Sequence, residues 1–337
     1  MQKKYIHWII FLIVLLVLLA ILVVTSLLSG EMDISLKQLP SILAQKTGIE
    51  YAILKNLRFP RVLLAFSVGG ALSVAGTILQ GIFRNPLVEP YTMGISGGAA
   101  LGVAVAIVFG LHLTMGSVIL PISGFLGAFI TIILVYLLSI RKGGMNINRM
   151  LLIGVMISFV ASSSMMLLMA ITTKENLHSI IFWMMGSLDE PNMLLVNTAF
   201  YSSLTCLFAA YFFARPLNAL RLGEVRARHL GINTSLVIKL LFVIASLLTG
   251  ICVSVVGIIG FVGLVIPHIV RLIAGPDYRI MLIGSFLGGS LFLLVSDIIA
   301  RTIIAPNELP IGVITGIAGG IVFIIILANV KLKSKFN

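Results

Sequence analysis

Long apolar runs separated by short polar segments dominate this chain of 337 residues. A helix rises about 1.5 Å per residue, so about 20 apolar residues cross a hydrocarbon layer of about 30 Å. The predicted single spans lie near residues 8–28, 60–82, 150–170, 193–214, 280–303 and 311–330. The first run is too long for a signal peptide and lacks a small-residue cleavage site, so we expect it to be a retained span. The pattern predicts an all-α polytopic membrane protein.

Two longer uncharged stretches decide the number of spans. Residues 90–140 would form about 75 Å of helix, which fits two crossings joined near residues 111–116. Residues 240–270 would form about 46 Å, and a single crossing there would put the basic residues that follow on the wrong side of the membrane. We therefore expect a return leg, a short helix near residues 260–272, and ten transmembrane helices in total. The breaks that a half-length helix needs are expected at Gly257, Gly260, Gly263 and Pro267.

Composition and charge agree with this topology. Charged residues make up 10% of the chain, against roughly 25% in soluble domains, which excludes a soluble fold. Lys and Arg outnumber Asp and Glu by 23 to 11, and the basic residues fall mainly in the predicted cytoplasmic segments. We therefore expect one transmembrane domain over residues 1–337, in the cytoplasmic membrane and in contact with lipid, with both termini cytoplasmic. The basic excess reflects topology and does not indicate a nucleic-acid partner.

Residues that could carry catalysis or bind a metal are few. The chain has no phosphate-binding loop, no zinc-protease motif and no cluster of Cys and His, and none of its five histidines forms an i,i+4 pair. We therefore expect no enzyme activity, no metal site and no cofactor in this chain. Cys206 and Cys252 each lie in an apolar run and are expected to be buried thiols.

Two groups of charged residues stand out within or beside the spans. Asp297 and Arg301 lie four residues apart in one predicted span, which places them on one helical face at ion-pair distance. The pair could simply neutralise itself, or it could have a function. Arg58 and Arg61 lie at the outer entrance of the second span, where the positive-inside rule disfavours them. They could reach lipid headgroups, or they could bind an external partner.

The cytoplasmic loop at residues 215–233 differs from the other loops. Leucines and a valine alternate there with basic residues, and Gly223 could separate two short amphipathic helices. Such helices could lie on lipid headgroups or dock into a groove of another protein. The residues alone leave both options open.

Three stretches carry a family resemblance over nearly the whole chain. They are LRFPRVLLAFSVGGALSVAGTILQGIFRNPLVEPYTMGISGG at 57–98, GIIGFVGLVIPHIVRLIAGPDYR at 257–279 and DIIARTIIAPNELPIGVITGIAGGIVFIIIL at 297–327. They closely resemble the iron-siderophore, haem and vitamin B12 permease family of binding-protein-dependent ABC importers. The resemblance implies the ten-helix type II importer fold and a second permease subunit, identical or paralogous, around a central path. It also implies two cytoplasmic ATPase subunits that bind ATP and Mg, and an extracytoplasmic substrate-binding protein.

The resemblance further implies roles for three sets of residues. The coupling segment, at about 217–233, would dock into the ATPase through Arg221, Leu222, Gly223, Glu224, Arg226, Leu230 and Gly231. The binding protein would dock on Arg58, Arg61 and Arg301. The cytoplasmic gate would be formed by Asn146, Ile147 and Asn148. Ile147 departs from the small hydroxyl residues that the family often has at this turn.

The expected function is import of a ferric siderophore by alternating access. The same machinery could import haem or vitamin B12, and no residue in the sequence separates these cargoes. An ion-coupled secondary transporter is the alternative from another class. It would need membrane-embedded acids, and Asp297 is the one acid that the sequence places clearly inside a span.

Overall fold

The computed structural model describes residues 2–30, 32, 34–116, 118–141, 144–145, 147–304 and 307–333. Helices account for most of this part, turns and loops connect them, and one short hairpin is present. The elements in chain order are α1 (Gln2–Leu28), α2 (Leu39–Gln45), α3 (Ile49–Ile53), α4 (Phe59–Phe83), α5 (Ile95–Val108), α6 (Leu111–Met115), α7 (Ile119–Ser139), β1 (Ile140–Arg141), β2 (Gly144–Met145), α8 (Ile147–Ile171), α9 (Lys174–Met185), α10 (Met193–Phe212), α11 (Ala214–Leu220), α12 (Glu224–His229), α13 (Thr234–Val256), α14 (Val262–Ala274), α15 (Tyr278–Thr302) and α16 (Ile311–Lys333).

The described helices include eight that are long and apolar enough to cross a membrane. These are α1, α4, α7, α8, α10, α13, α15 and α16. Two shorter apolar helices, α5 with 14 residues and α14 with 13, complete the series at the third and eighth positions. The predicted all-α fold is therefore confirmed, and the eight long and two short apolar helices agree with the predicted count of ten, with a short helix where the return leg is expected.

The break before α14 differs in detail from the prediction. The chain leaves helical geometry at Gly257, with φ of 73°, and re-enters it after Phe261, whose φ of 68° is in the left-handed region. Gly263 and Pro267 were expected to be breaks, and this was wrong, because both lie inside α14. Proline removes the N–H that would bond the carbonyl four residues earlier. That carbonyl belongs to Gly263, and the Gln80 amide donates to it at 3.3 Å instead.

Helix α4 forms the centre of the molecule. It packs against α10, α13, α14 and α15, and nearly all of its residues from 62 to 82 are buried. Small residues allow these close approaches. A Cβ atom on Gly69 would lie 2.3 Å from the Gly289 carbonyl oxygen, and one on Gly76 would lie 1.9 Å from that of Gly263.

Candidate functional site

One end of the helix bundle carries a cluster of charged side chains from three distant parts of the sequence. Asp297 of α15 is fully buried, and its two oxygens face Arg61 Nε at 2.7 Å and Arg301 Nη2 at 2.8 Å. Arg61 Nη1 also contacts Glu308 Oε2 at 2.8 Å. Buried Arg301 and half-buried Arg61 therefore share one buried carboxylate, and Glu308, which is exposed, supplies a second negative charge beside Arg61. The pairing of Asp297 with Arg301 follows the i,i+4 spacing seen in the sequence.

Other guanidinium donors at this end bind the C-terminal end of α1 and the residues that follow it. Arg58 Nη1 donates to the carbonyls of Leu27 and Leu28 at 2.7 and 2.8 Å, and its Nη2 donates to that of Met32. Arg301 donates to the Ser26 hydroxyl at 2.7 Å and to the Ser29 carbonyl at 3.1 Å. The last carbonyls of a helix have no partner within the helix. These two arginines supply the missing donors.

All three arginines predicted to dock the binding protein therefore lie together, but they differ in exposure. Arg58 and Arg301 are 5% and 7% exposed. All three line one cavity of about 230 Å³ with Asp189 and Glu308, and Arg61, which is half-buried, is the most exposed of them. Arg61 is thus the member best placed to meet an incoming carboxylate, and Glu308 already binds it. Sequence reasoning missed this contact, because 247 residues separate the two partners.

The opposite end of the bundle carries the predicted coupling segment. Gly223, with φ of 111°, separates α11 from α12, as the sequence predicts. Leu222, Val225 and Leu230 are each at least half exposed, and Arg226 is exposed beside them. An apolar surface with basic neighbours suits a groove in another protein.

Some residues of the coupling segment bind within this chain. Glu224 forms an ion pair with Arg228 and accepts a hydrogen bond from the Thr234 hydroxyl at 3.3 Å. Arg221 donates to the Pro276 carbonyl at 2.7 Å. Gly231, with φ of 80°, follows α12 and directs the chain towards α13. Glu224 and Arg221 therefore brace the segment against the helices beneath it.

The predicted gate turn lies at the start of α8. Asn146 is outside the described residues. Ile147 is half-buried and Asn148 is exposed in the first helical turn, after the hairpin of β1 and β2.

A third feature, the contact between the α4–α5 segment and the start of α14, was missed by the sequence reasoning. The Glu89 carboxylate faces the backbone N–H of Phe261, at the start of α14. The Tyr91 hydroxyl donates to the Ile259 carbonyl at 2.8 Å and accepts from the Ile259 N–H at 3.1 Å. A carboxylate suits the positive end of a helix dipole. The segment between α4 and α5 therefore holds the N-terminal end of the half-length helix.

Within the described residues, no group of three or more His, Cys, Asp and Glu side chains is arranged to hold a metal ion.

Comparison with known proteins identifies the family. The model of the FecCD transport family matches residues 18–329. The chain belongs to this family. The hemin transport system permease HmuU of Yersinia pestis is 40% identical over 80% of this chain and 81% of its own length. The vitamin B12 import system permease BtuC of Salmonella typhi is 36% identical over 81% and 82%.

Solved structures agree with the FecCD assignment. An inward-facing metal-chelate type ABC transporter matches with a TM-score of 0.83 and 32% identity, over 95% of this chain and 99% of that one. PsaBC from Streptococcus pneumoniae matches with a TM-score of 0.55 at 17% identity, which shows a shared fold alone. The FecCD chain described here is therefore the permease subunit of an ABC importer, and its relatives are transport permeases rather than enzymes.

Proposed function

We propose that this permease subunit imports a bulky iron chelate, a ferric siderophore, across the cytoplasmic membrane by alternating access. The observation that carries the proposal is the family match over residues 18–329, supported by the similarity to a metal-chelate type transporter. ATP binding in separate ATPase subunits would move the helices around a path between two permease subunits, so that outer and inner gates open in turn. Both chain termini lie in the cytoplasm in this arrangement.

Haem is the second candidate cargo, because the hemin permease HmuU is 40% identical to this chain. Vitamin B12 is a third candidate, because the vitamin B12 permease BtuC is also similar to this chain. The assembled transporter would be reconstituted in vesicles with its binding protein and ATPase, and uptake of several ferric siderophores, haem and cobalamin would be compared. Uptake of a ferric siderophore and of neither other compound supports the proposal. Uptake of haem alone or of cobalamin alone would show that this compound is the cargo instead.

Ion coupling is the alternative energy source. Asp297, the acid that the sequence places inside a span, is held between Arg61 and Arg301 and is not free to carry a coupling ion. Uptake in the same vesicles should therefore need ATP hydrolysis and should persist when an ionophore collapses the ion gradients. Uptake that stops with the ionophore and continues without ATP would contradict the proposal.

We propose further that the binding protein docks at the cluster around Arg61. Arginine's planar fork binds carboxylates in a bidentate manner, and Arg58 and Arg301 fix the surface beside it through the end of α1. Arg61→Glu should weaken docking at low salt, and an acid-to-arginine change on the binding protein should partly restore it. If docking and transport do not change in Arg61→Glu, the arginines have a structural role only.

The coupling segment is proposed to dock into the ATPase through α11 and α12. Any side chain at Gly223 would be strained at φ of 111°. Gly223→Val should therefore abolish co-purification of the ATPase while the protein still reaches the membrane. Gly116→Val is the matched control, because Gly116 has φ of 81° and open space around it in the loop between α6 and α7. Normal ATPase binding by Gly223→Val would overturn this assignment.

The gate is proposed at the start of α8. Cysteines introduced at Ile147 and Asn148 should crosslink between the two subunits better in one nucleotide state than in the other. Equal crosslinking with and without ATP would count against a gate at this turn.

A further inference from the structure

A three-residue turn, residues 275–277, joins the half-length helix α14 to the long helix α15. Asp277 caps α15, because its Oδ1 accepts a hydrogen bond from the backbone N–H of Arg279 at 3.1 Å. Its Oδ2 lies 3.2 Å from the Lys4 Nζ at the start of α1. The turn is therefore fixed both to the helix that follows it and to α1.

The coupling segment holds the same turn through Asn218 of α11. The Asn218 Nδ2 donates to Asp277 Oδ1 at 2.9 Å, and its Oδ1 accepts from the backbone N–H of Tyr278 at 3.1 Å. One end of the amide faces an acceptor and the other a donor, so this orientation satisfies both ends. Arg221, directly after α11, donates to the Pro276 carbonyl at 2.7 Å. Two side chains of the segment thus bind three successive residues at the junction of α14 and α15.

Helix α14 extends from this turn into the middle of the bundle. Its 13 residues make a rod of about 20 Å. The Gln80 side chain of α4 bonds α14 at two points along its length. It donates to the Leu264 carbonyl at 3.2 Å and accepts from Arg271 at 3.1 Å. At the far end, Phe261 packs closely on Gly319 of α16. Movement of the turn would therefore be carried to the level at which α14 meets α16.

We infer that Asn218 and Asp277 form the link through which movement of the coupling segment reaches α14 and α15. The chain itself connects the segment to α10 and α13, which flank it in sequence. Hydrogen bonds to a charged group are stronger than those between neutral groups. Through the contact of Asn218 with Asp277, α14 and α15 would move together with the coupling segment as well. Asn218 is thus a positioning residue for transport. The inference rests on the proposed docking of the ATPase.

The test measures cargo transported per ATP hydrolysed in the complete reconstituted transporter. Asn218→Asp places a second carboxylate against Asp277, so this ratio should fall about tenfold. The double variant Asn218→Asp with Asp277→Asn exchanges amide and carboxylate, and asparagine caps helices as well as aspartate does. The double variant should therefore recover most of the ratio, which a merely structural defect at either position would not allow.

Asn233→Ala is the matched control. Asn233 caps α13 through the N–H of Leu236 at 3.1 Å and lies in the same segment, but its cap does not involve the turn at residues 275–277. The cargo transported per ATP hydrolysed by Asn233→Ala should stay within about twofold of the native value. Equal losses in Asn218→Asp and Asn233→Ala, or a native ratio in Asn218→Asp, would overturn the inference.

A spin label at Leu272, which is exposed on α14, provides a second measurement. The distance between the two labels of the dimer should change on ATP addition in the native transporter and not in Asn218→Asp. If Asn218→Asp fails to reach the membrane, Asn218→Ser is measured in the same assays, and a native ratio there overturns the inference. Failure of the native chain to bind any ATPase would instead refute the proposed function itself.

Discussion

The Glu308 carboxylate pairs with Arg61, with 2.8 Å between its Oε2 and Arg61 Nη1. A carboxylate of the proposed partner would need the same nitrogen. The other contact of Arg61, with Asp297, is buried, whereas the Glu308 side chain is 46% exposed. An incoming acid could therefore displace Glu308 without disturbing Asp297. The chain thus carries its own competitor at the proposed docking surface.

Removal of this competitor should tighten docking. Glu308→Gln keeps the size of the side chain and removes its charge, so we expect the affinity for the binding protein to rise about three- to tenfold at low salt, with a smaller effect at high salt. Surface plasmon resonance on the reconstituted permease would measure this change. Asp189→Asn is the control, because Asp189 is exposed and lines the same cavity but forms no ion pair among the described residues. Weaker docking of Glu308→Gln would show that Glu308 supports the surface instead.

Asp297 should be the most costly single charge to remove at this end. It is fully buried between Arg61 and Arg301, and Asp297→Asn would leave buried Arg301 without an anion and half-buried Arg61 with Glu308 alone. We expect a loss of about 3 kcal/mol in the free energy of unfolding. Unfolding in mixed detergent micelles would measure it, with Asp189→Asn as the exposed control within about 0.5 kcal/mol of the native protein. Equal stability of the two variants would contradict this role.

The sequence predicts those features whose physical cause is local. Run length gives the ten spans, the four-residue spacing gives the contact of Asp297 with Arg301, and Gly223 divides the coupling segment into α11 and α12. The ion pair and the division of the segment depend on residues within one or two helical turns, and the spans depend on runs of about 20 residues and on the charges beside them. Local patterns were therefore sufficient for the architecture and for part of the site.

The features that the sequence did not predict depend on distant partners. Pro267 remains inside α14 because Gln80, which belongs to α4, bonds the carbonyl that proline leaves free. The contact of Glu89 with Phe261 likewise joins segments that no periodicity connects. Such pairs appear only when helix packing is known, and the same holds for the contact of Arg61 with Glu308.

The Asp277 carboxylate should stay ionised through the neutral pH range. Burial alone would raise the pKa of Asp277, but hydrogen bonds from Asn218 and the Arg279 N–H, together with Lys4, hold the pKa below its ordinary value. A carboxylate with a lowered pKa stabilises the fold above its unfolded-state value, and the stabilisation is lost as pH falls through the folded value. Titration of Asp277 should therefore not alter cargo transported per ATP between pH 8 and pH 5, and the pH profiles of the native transporter and Asp277→Asn should have the same shape there.

Acid unfolding tests the same point. The native protein should lose stability more steeply than Asp277→Asn only below about pH 4, where this carboxylate gains a proton. Curves for the two proteins that diverge near pH 6 would mean that another group controls the cluster.

The close approach of α4 to α14 should make Gly76 intolerant of any side chain. A Cβ atom there would lie 1.9 Å from the Gly263 carbonyl oxygen, which is backbone and cannot rotate away. Alanine favours a helix over glycine by about 1 kcal/mol, yet separating two packed helices costs more, so Gly76→Ala should be destabilised by about 2 kcal/mol in the same micelle assay. Gly316→Ala on α16 is the matched control, because no atom lies within 4 Å of its added methyl group. Only the helix preference acts at Gly316, and that variant should be as stable as the native protein or slightly more so. If Gly76→Ala and Gly316→Ala have the same free energy of unfolding, α4 and α14 are not in contact in the folded protein. The contacts of Gln80 with α14, on which the inferred link from the coupling segment depends, would then lose their support.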